Sequence, residues 1–192
     1  MNTNGVNVTV QKSELIADDE QTSVSKINLM IAGEFEKRFK CLFEHSPWII
    51  KKAEKKRPFS NLRAMHQAMI DVVIDAGVQA QIDLFLAHPE LADKVAMAQG
   101  LTTESAGEQA SAGLNQMTPE MFDRFHQLNR GYRERYGFPF IICVRLTNQA
   151  GIIAAMSSRL HNNLETEIET ALNEVGKIVW LRLNDIVQGG LE

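Results

Sequence analysis

The fold is decided first by residues 27–43, which read INLMIAGEFEKRFKCLF. Apolar side chains recur there at spacings of three and four residues, the period of an α-helix that buries one face. The apolar positions of this stripe are Met30, Ile31, Phe35, Phe39, Leu42 and Phe43. The pattern predicts that the packed part of the chain begins with an amphipathic helix.

Helix start and stop signals continue downstream of this stripe. A hydroxyl side chain before a helix caps its first free N–H groups, and glycine after a helix adopts the left-handed turn that ends it. The further helices predicted are a short one after Ser46-Pro47, one capped by Ser60, one at residues 78–87, one after a loop at Gln99-Gly100 and capped by Thr102 or Thr103, one from Thr118-Pro119 to Tyr136 with Gly137 behind it, one at residues 149–161, and one from Leu164 to before Gly189-Gly190. Together they predict an all-α domain of about seven or eight packed helices at residues 26–188, after a polar, disordered tail at residues 1–25.

Residues 138–146, FPFIICVRL, are the one stretch with the composition of a buried strand. No second stretch in the core region is comparable, and a single strand leaves its backbone hydrogen-bonding groups without partners. We therefore expect an extended connection here rather than a sheet.

Composition limits the class of protein. A chain of 192 residues with 44% hydrophobic and 23% charged residues is typical of one globular domain. The net charge of −4 argues against a general nucleic-acid binder, and no apolar run is long enough to cross a membrane. The two cysteines, Cys41 and Cys143, have no metal-site spacing and are too few for a disulfide framework. We expect a cytoplasmic protein without a signal peptide.

The residues with the strongest chemical potential lie in two nearby segments, His88-Pro89 and Ser105 to Gln109. Proline disfavours the α conformation at the preceding histidine, so His88 is expected at a helix end, and imidazole is suited to proton transfer near neutral pH. Ser105 and Glu108 share one helix face, whereas Gln109 points about 100° away from Glu108. On these residues alone, the favoured interpretation is a buried structural histidine beside a capping serine and a surface glutamate.

Six motifs in one order add a resemblance to a known family. They are FEHSPW at residues 43–48, RPF at 57–59, HPELA at 88–92, SAGEQ at 105–109 followed by AGL at 112–114, YGFPFI at 136–141, and RL at 182–183. The chain resembles the decarboxylases of 2-oxo-4-hydroxy-4-carboxy-5-ureidoimidazoline (OHCU), which act in urate breakdown. The resemblance covers about residues 27–187.

The resemblance implies a lyase that converts OHCU to (S)-allantoin in purine catabolism and that works as a homodimer. The carbon that loses CO2 lies next to a ring C=N bond, which can accept the electron pair. The resemblance therefore implies no metal site and no organic cofactor.

The resemblance also implies the site residues. The expected catalytic residues are His88 for acid–base chemistry, Glu108 as its partner and Arg182 as the substrate anchor. The expected substrate-binding residues are Pro89, Ser105, Ala106, Gly107, Glu108, Gln109, Phe140, Ile141, Ile142, Cys143 and Val144. Gln109 is expected either to reach round the edge of the site or to cap neighbouring backbone, because its side chain points partly away.

Three alternatives stay open at this point. Arg159 has a local pattern similar to that of Arg182 and is the rival anchor, although its helix ends at once and offers a route to solvent. The chain as a whole could be a non-catalytic helical interaction module, or a decarboxylase of a related ureido acid.

Overall fold

The computed structural model describes residues 23–92 and 101–188, and no β-strand occurs in these ranges. The helices are α1 (residues 23–29), α2 (Ala32–Phe39), α3 (Pro47–Glu54), α4 (Leu62–Asp75), α5 (Val78–Leu86), α6 (Thr103–Ser111), α7 (Pro119–Tyr136), α8 (Gln149–Arg159) and α9 (Leu164–Gln188). A 3-10 turn, Val144–Leu146, lies between α7 and α8. The all-α prediction is confirmed.

The first apolar stripe is divided between two helices, and this part of the prediction was wrong. Ile31 is 68% exposed and lies at the N-terminus of α2, where its backbone N–H donates to Glu34 Oε2 at 3.3 Å. Phe35 and Phe39 are fully buried, as expected. The split explains why the described residues contain nine α-helices rather than seven or eight.

Some predictions concern residues outside the described ranges. The disordered tail was expected at residues 1–25, of which 1–22 are not described, and the same holds for the loop at Gln99-Gly100 and for Gly189-Gly190. Residues 23–25 are helical and belong to α1, where Val24 is buried.

The segment after α3 holds α1 in place. The Asn28 side chain pairs with both backbone groups of Phe59: Nδ2 donates to the carbonyl and Oδ1 accepts from the N–H, each at 2.8 Å. Arg57 Nη1 donates to the carbonyls of Ile27 and Asn28 at 3.3 Å. The carbonyl groups at a helix C-terminus lack partners within the helix, so Arg57 acts as the cap of α1.

Most of the predicted helix starts are correct. The hydroxyls of Thr102 and Thr118 cap α6 and α7 by accepting the N–H groups of Ser105 and Met121. Two predicted caps differ. The cap of α4 is not Ser60 but the next residue, Asn61, whose Oδ1 accepts the Ala64 N–H at 2.8 Å. Ser46 directly precedes α3, as predicted, but its side chain makes no capping hydrogen bond.

The helices pack in two neighbouring groups joined by α9. Helices α2, α3 and α4 pack in succession, α9 packs against α4 and α5, and α7 packs against α8. Residues 138–143 form neither helix nor strand, which confirms the extended connection. The ring of Tyr132 lies 5.9 Å from Phe138 and 5.1 Å from Phe140, and Phe138 in turn lies 5.0 Å from Phe85 on α5. This aromatic cluster fixes the connection beside α5.

Two glycines of the same helix give a matched test of this fold. Gly137 ends α7 with φ +79°, whereas Gly131 lies inside α7, and an added Cβ would meet no atom within 4 Å at either site. Gly137→Ala should lower the free energy of unfolding by about 1 kcal/mol, because an L residue is strained in the left-handed region. Gly131→Ala should raise it by up to about 1 kcal/mol. Urea unfolding of both variants measures this, and equal shifts of the same sign would contradict it.

Candidate active site

His88 follows the C-terminus of α5 and lines a cavity that contains about 380 Å³ of empty space, open solvent at its mouth included. Its Nδ1 lies 2.8 Å from the carbonyl oxygen of Leu84. A carbonyl can only accept, so Nδ1 carries a hydrogen and Nε2 of the neutral ring has a free lone pair. This histidine does make the backbone contact expected of a structural residue, but that contact occupies one nitrogen and leaves the other for chemistry.

The surroundings of His88 favour its neutral form. Desolvation by burial lowers the pKa of the imidazole below its usual value of 6.5, and the positive charge of Arg182 acts in the same direction. The Leu84 carbonyl, Glu44 and Glu108 oppose this shift without reversing it. In the free protein the ring is therefore a neutral base at neutral pH.

The turn after His88 is fixed by two amide side chains. Gln109 Oε1 accepts the N–H of Ala92 at 3.2 Å, and Asn129 Nδ2 donates to the carbonyl of Leu91 at 2.8 Å. Ala92 has φ +60°, which these contacts help to hold. Gln109 caps neighbouring backbone, which was one of the two positions expected from the sequence. It also lines the cavity.

Helix α6 contributes the carboxylate of the cavity. Thr102 caps this helix, and Ser105, Glu108 and Gln109 all line the cavity from it. Glu108 binds Arg182 with both oxygens: Arg182 Nε donates to Oε1 at 2.8 Å and Nη2 donates to Oε2 at 2.7 Å. The expected partnership of these two residues in the free protein is present.

Arg182 lies on α9 and is 5% exposed. Its Nη1 donates to the carbonyl of Cys41 at 3.1 Å, and its Nη2 donates to Ser105 Oγ at 3.1 Å. Burial on its own lowers the pKa of Arg182, but the hydrogen bonds and charge of Glu108 outweigh it and raise that pKa above the usual value. The guanidinium is a permanent buried cation that joins three parts of the chain.

Glu44 is the site residue that sequence reasoning missed. It is 2% exposed, accepts hydrogen bonds from Thr102 Oγ1 at 2.8 Å and from Ser105 Oγ, and has Oε1 3.6 Å from Arg182 Nη2. The available signal was its position directly after the buried Leu42 and Phe43, since a carboxylate that continues an apolar stripe needs a buried partner.

The extended connection forms the apolar wall of the cavity. Phe140, Ile141, Ile142 and Val144 line it, as expected, and the N–H of Ile142 donates to no acceptor within the described residues. The structure also places Leu91 and Ile178 there, which had not been expected.

Three expected binding residues are not among those that line this cavity. Cys143 is buried, its N–H donates to Glu174 Oε2 at 2.8 Å, and burial raises the pKa of its thiol. Gly107 lines a separate cleft on the other side of Glu108 and Arg182, which Cys41 and Arg145 also line. Ala106 lines neither.

Arg159 was expected to reach solvent, and this is wrong. It is 9% exposed, its Nε donates to Glu167 Oε1 at 2.9 Å, and its Nη1 donates to the carbonyl of Ile141 at 2.8 Å. Its guanidinium lies 4.3 Å from the centre of the Phe140 ring. Arg159 therefore supports the extended connection from behind, whereas Arg182 faces the cavity.

No cluster of three or more histidine, cysteine, aspartate or glutamate side chains that could hold a metal occurs within residues 23–92 and 101–188. In the same ranges no helix is both long enough and apolar enough to span a membrane.

The lowered pKa of His88 predicts how stability depends on pH. Below pH 6.5 the unfolded chain binds a proton at this residue that the folded chain does not, so the free energy of unfolding falls as pH falls towards the folded pKa. Above that pH both states are neutral and the contribution is constant. In urea unfolding measured between about pH 8 and pH 5, the free energy of unfolding should fall more steeply with decreasing pH for wild type than for His88→Asn. Parallel curves would contradict the shift.

Comparison with known proteins shows which family the chain belongs to. The family model described as OHCU decarboxylase matches residues 28–184. Two relatives named 2-oxo-4-hydroxy-4-carboxy-5-ureidoimidazoline decarboxylase are similar: that of Halalkalicoccus jeotgali is 41% identical over 76% of this chain and 80% of the relative, and that of Haloferax volcanii is 38% identical over 85% and 95%.

A solved structure shows the same fold. The crystal structure of (S)-allantoin synthase superimposes with a TM-score of 0.68 and 26% identity over 85% of this chain. The chain spans about half of that protein, 53% of its length. With a family model that matches most of its length and relatives of this identity, the chain belongs to the OHCU decarboxylase family.

Proposed function

We propose that the protein decarboxylates OHCU to allantoin in urate breakdown, and that the cavity beside His88 is where it does so. The observation that carries the proposal is the arrangement of this cavity: a neutral imidazole, the buried Arg182 paired with Glu108, and an apolar wall face the same space. Membership of the OHCU decarboxylase family supports it independently. The similarity to a solved (S)-allantoin synthase supports (S)-allantoin as the product.

The reaction is balanced without an external electron acceptor. The bond between the hydroxyl-bearing carbon and the carboxylate breaks and releases CO2. Its electron pair forms a C=C bond to the ureido-bearing carbon, and the former C=N nitrogen takes up a proton. The resulting enol loses its hydroxyl proton and gains a proton on the ureido-bearing carbon, which gives allantoin. The net change is the uptake of one proton and the loss of CO2.

The polar residues of the cavity fit these steps. His88 Nε2 would relay the proton that reaches carbon from one face, since Nδ1 is occupied by the Leu84 carbonyl. Arg182 and Glu108 fit the charged and hydroxyl ends of the substrate, since guanidinium binds carboxylate through two parallel hydrogen bonds and a carboxylate accepts from a hydroxyl. The apolar wall disfavours the charged carboxylate relative to neutral CO2.

We further propose that no metal or organic cofactor takes part, because the ring C=N bond already accepts the electron pair. Substrate contacts from Ser105, Gln109 and the N–H of Ile142, which has no acceptor among the described residues, would then hold the ring while the carboxylate leaves.

The proposal is tested by replacing His88 and a matched histidine. His161 also follows a helix and also directs Nδ1 to the carbonyl four residues earlier, at 3.0 Å, but it is exposed. His88→Asn should lower kcat/KM by about a hundredfold or more, the usual loss for an acid–base group, while His161→Asn should stay near wild type.

The measurement uses OHCU generated freshly from urate and follows the circular dichroism of allantoin formation. Spontaneous decay gives racemic allantoin, so the enzyme is detected as an excess of one enantiomer. Wild-type protein that produces no such excess would disprove the proposed function, and full activity of folded His88→Asn would remove His88 from the mechanism.

We also propose a cytoplasmic homodimer that binds neither nucleic acid nor membranes. Both cysteines are free, which suits a reducing compartment. Large apolar side chains are exposed at Leu29, Val78 and Leu146, which suits a subunit interface. Light scattering at micromolar concentration should give twice the chain mass of 21.5 kDa, and a value equal to one chain would contradict the dimer.

A further inference from the structure

We propose that Glu44 is a positioning residue that turns Ser105 into an obligatory hydrogen-bond acceptor, so that the site recognises a donor group of the substrate at this point. The inference rests on the proposed function and deepens it. Glu44 does not line the cavity and therefore acts through its neighbours.

The position of Glu44 suits this role. Its carboxylate is 2% exposed and receives two hydroxyl groups, those of Thr102 and Ser105, on the same oxygen. An ionised carboxylate can only accept hydrogen bonds. The hydroxyl hydrogens of both residues are therefore directed away from the cavity and towards Glu44.

The hydrogen-bonding capacity of Ser105 is then almost fully assigned. A serine hydroxyl has one hydrogen to donate and two lone pairs that accept. The hydrogen goes to Glu44, and Arg182 Nη2 donates to one lone pair at 3.1 Å. One lone pair remains, and Ser105 lines the cavity. A ligand can thus meet Ser105 favourably only with an O–H or N–H group.

This constraint orients the substrate. OHCU carries donors on its hydroxyl group, its ring N–H and its ureido group, whereas its carboxylate and ring carbonyl have only acceptors. An acceptor placed against Ser105 would face a lone pair that has no hydrogen to offer. A donor of the hydroxyl, ring N–H or ureido group is therefore directed to the remaining lone pair of Ser105, and neither the carboxylate nor the ring carbonyl is.

The test compares two conservative variants of Glu44 that separate hydrogen bonding from charge. Glu44→Gln keeps an acceptor oxygen at the same distance along the side chain and loses the charge, whereas Glu44→Asp keeps the charge and withdraws the oxygen by one methylene. We expect kcat/KM of Glu44→Gln within about threefold of wild type, and a loss of about tenfold or more for Glu44→Asp and Ser105→Ala, the range for an unsatisfied buried group.

A double-mutant cycle completes the test. Once Ser105 is absent its orientation is irrelevant, so Glu44→Asp/Ser105→Ala should be no worse than Ser105→Ala alone. Glu167→Gln is the matched control, because Glu167 is fully buried and also receives a hydroxyl, that of Tyr132, but is not in contact with Ser105. The fold-losses in kcat/KM caused by Glu167→Gln and by Ser105→Ala should therefore multiply in the double variant.

The outcomes are distinct for folded variants, as judged by far-ultraviolet circular dichroism and thermal melting. Glu44→Asp more active than Glu44→Gln would overturn the inference in favour of a role for charge, and multiplied losses in the cycle would overturn it in favour of a general structural role. If Glu44→Asp does not fold, a tenfold or larger loss in folded Glu44→Gln overturns it alone. Wild-type protein without activity on OHCU would instead disprove the proposed function.

Discussion

The buried guanidinium of Arg182 is the constraint on which the site depends. A cation with 5% exposure is stable only if its hydrogen bonds and charge are matched by the protein. The matching groups come from distant parts of the chain: the Cys41 carbonyl and Glu44 from the segment between α2 and α3, and Ser105 and Glu108 from α6. The need to satisfy one side chain therefore brings α6 and α9 together, and the cavity lies where they meet the turn after α5.

A second buried arginine, Arg159, fixes the apolar wall of the cavity. Arg159 pairs with Glu167 and donates to the Ile141 carbonyl, so it fixes a segment that has no helix or strand hydrogen bonds of its own. The aromatic cluster around Tyr132 holds the same segment through Phe138 and Phe140. The polar residues of the cavity are thus held through Arg182 on α9 and the apolar wall through Arg159 on α8, which is why an irregular segment can form a defined surface.

The sequence predicted features whose cause lies within a few residues. Thr102, Thr118 and Gly137 act on the helix ends beside them, and these assignments are correct. Glu44 was missed because its hydroxyl partners are 58 and 61 residues away and no local pattern indicates them. Arg159 was misplaced for the same reason: a helix end suggested solvent, but the fold places Glu167 and Ile141 against it. Resemblance to a family supplied His88, Glu108 and Arg182 as a group, which spacing alone left open.

The two-pronged contact between Glu108 and Arg182 has a consequence for ligand affinity. The anchor is already neutralised before any ligand arrives, so an incoming carboxylate competes with an internal anion for the same guanidinium instead of meeting a vacant positive charge. Binding becomes an exchange of partners, and its free energy is the difference between two similar contacts. Such an exchange releases few counterions, so ligand affinity should depend little on salt concentration. Dissolved salt screens exposed charges over about 8 Å at physiological ionic strength, but Arg182 is buried. The site therefore selects ligands by shape more than by charge. An anion of the wrong shape displaces the Glu108–Arg182 contact without forming one of equal strength.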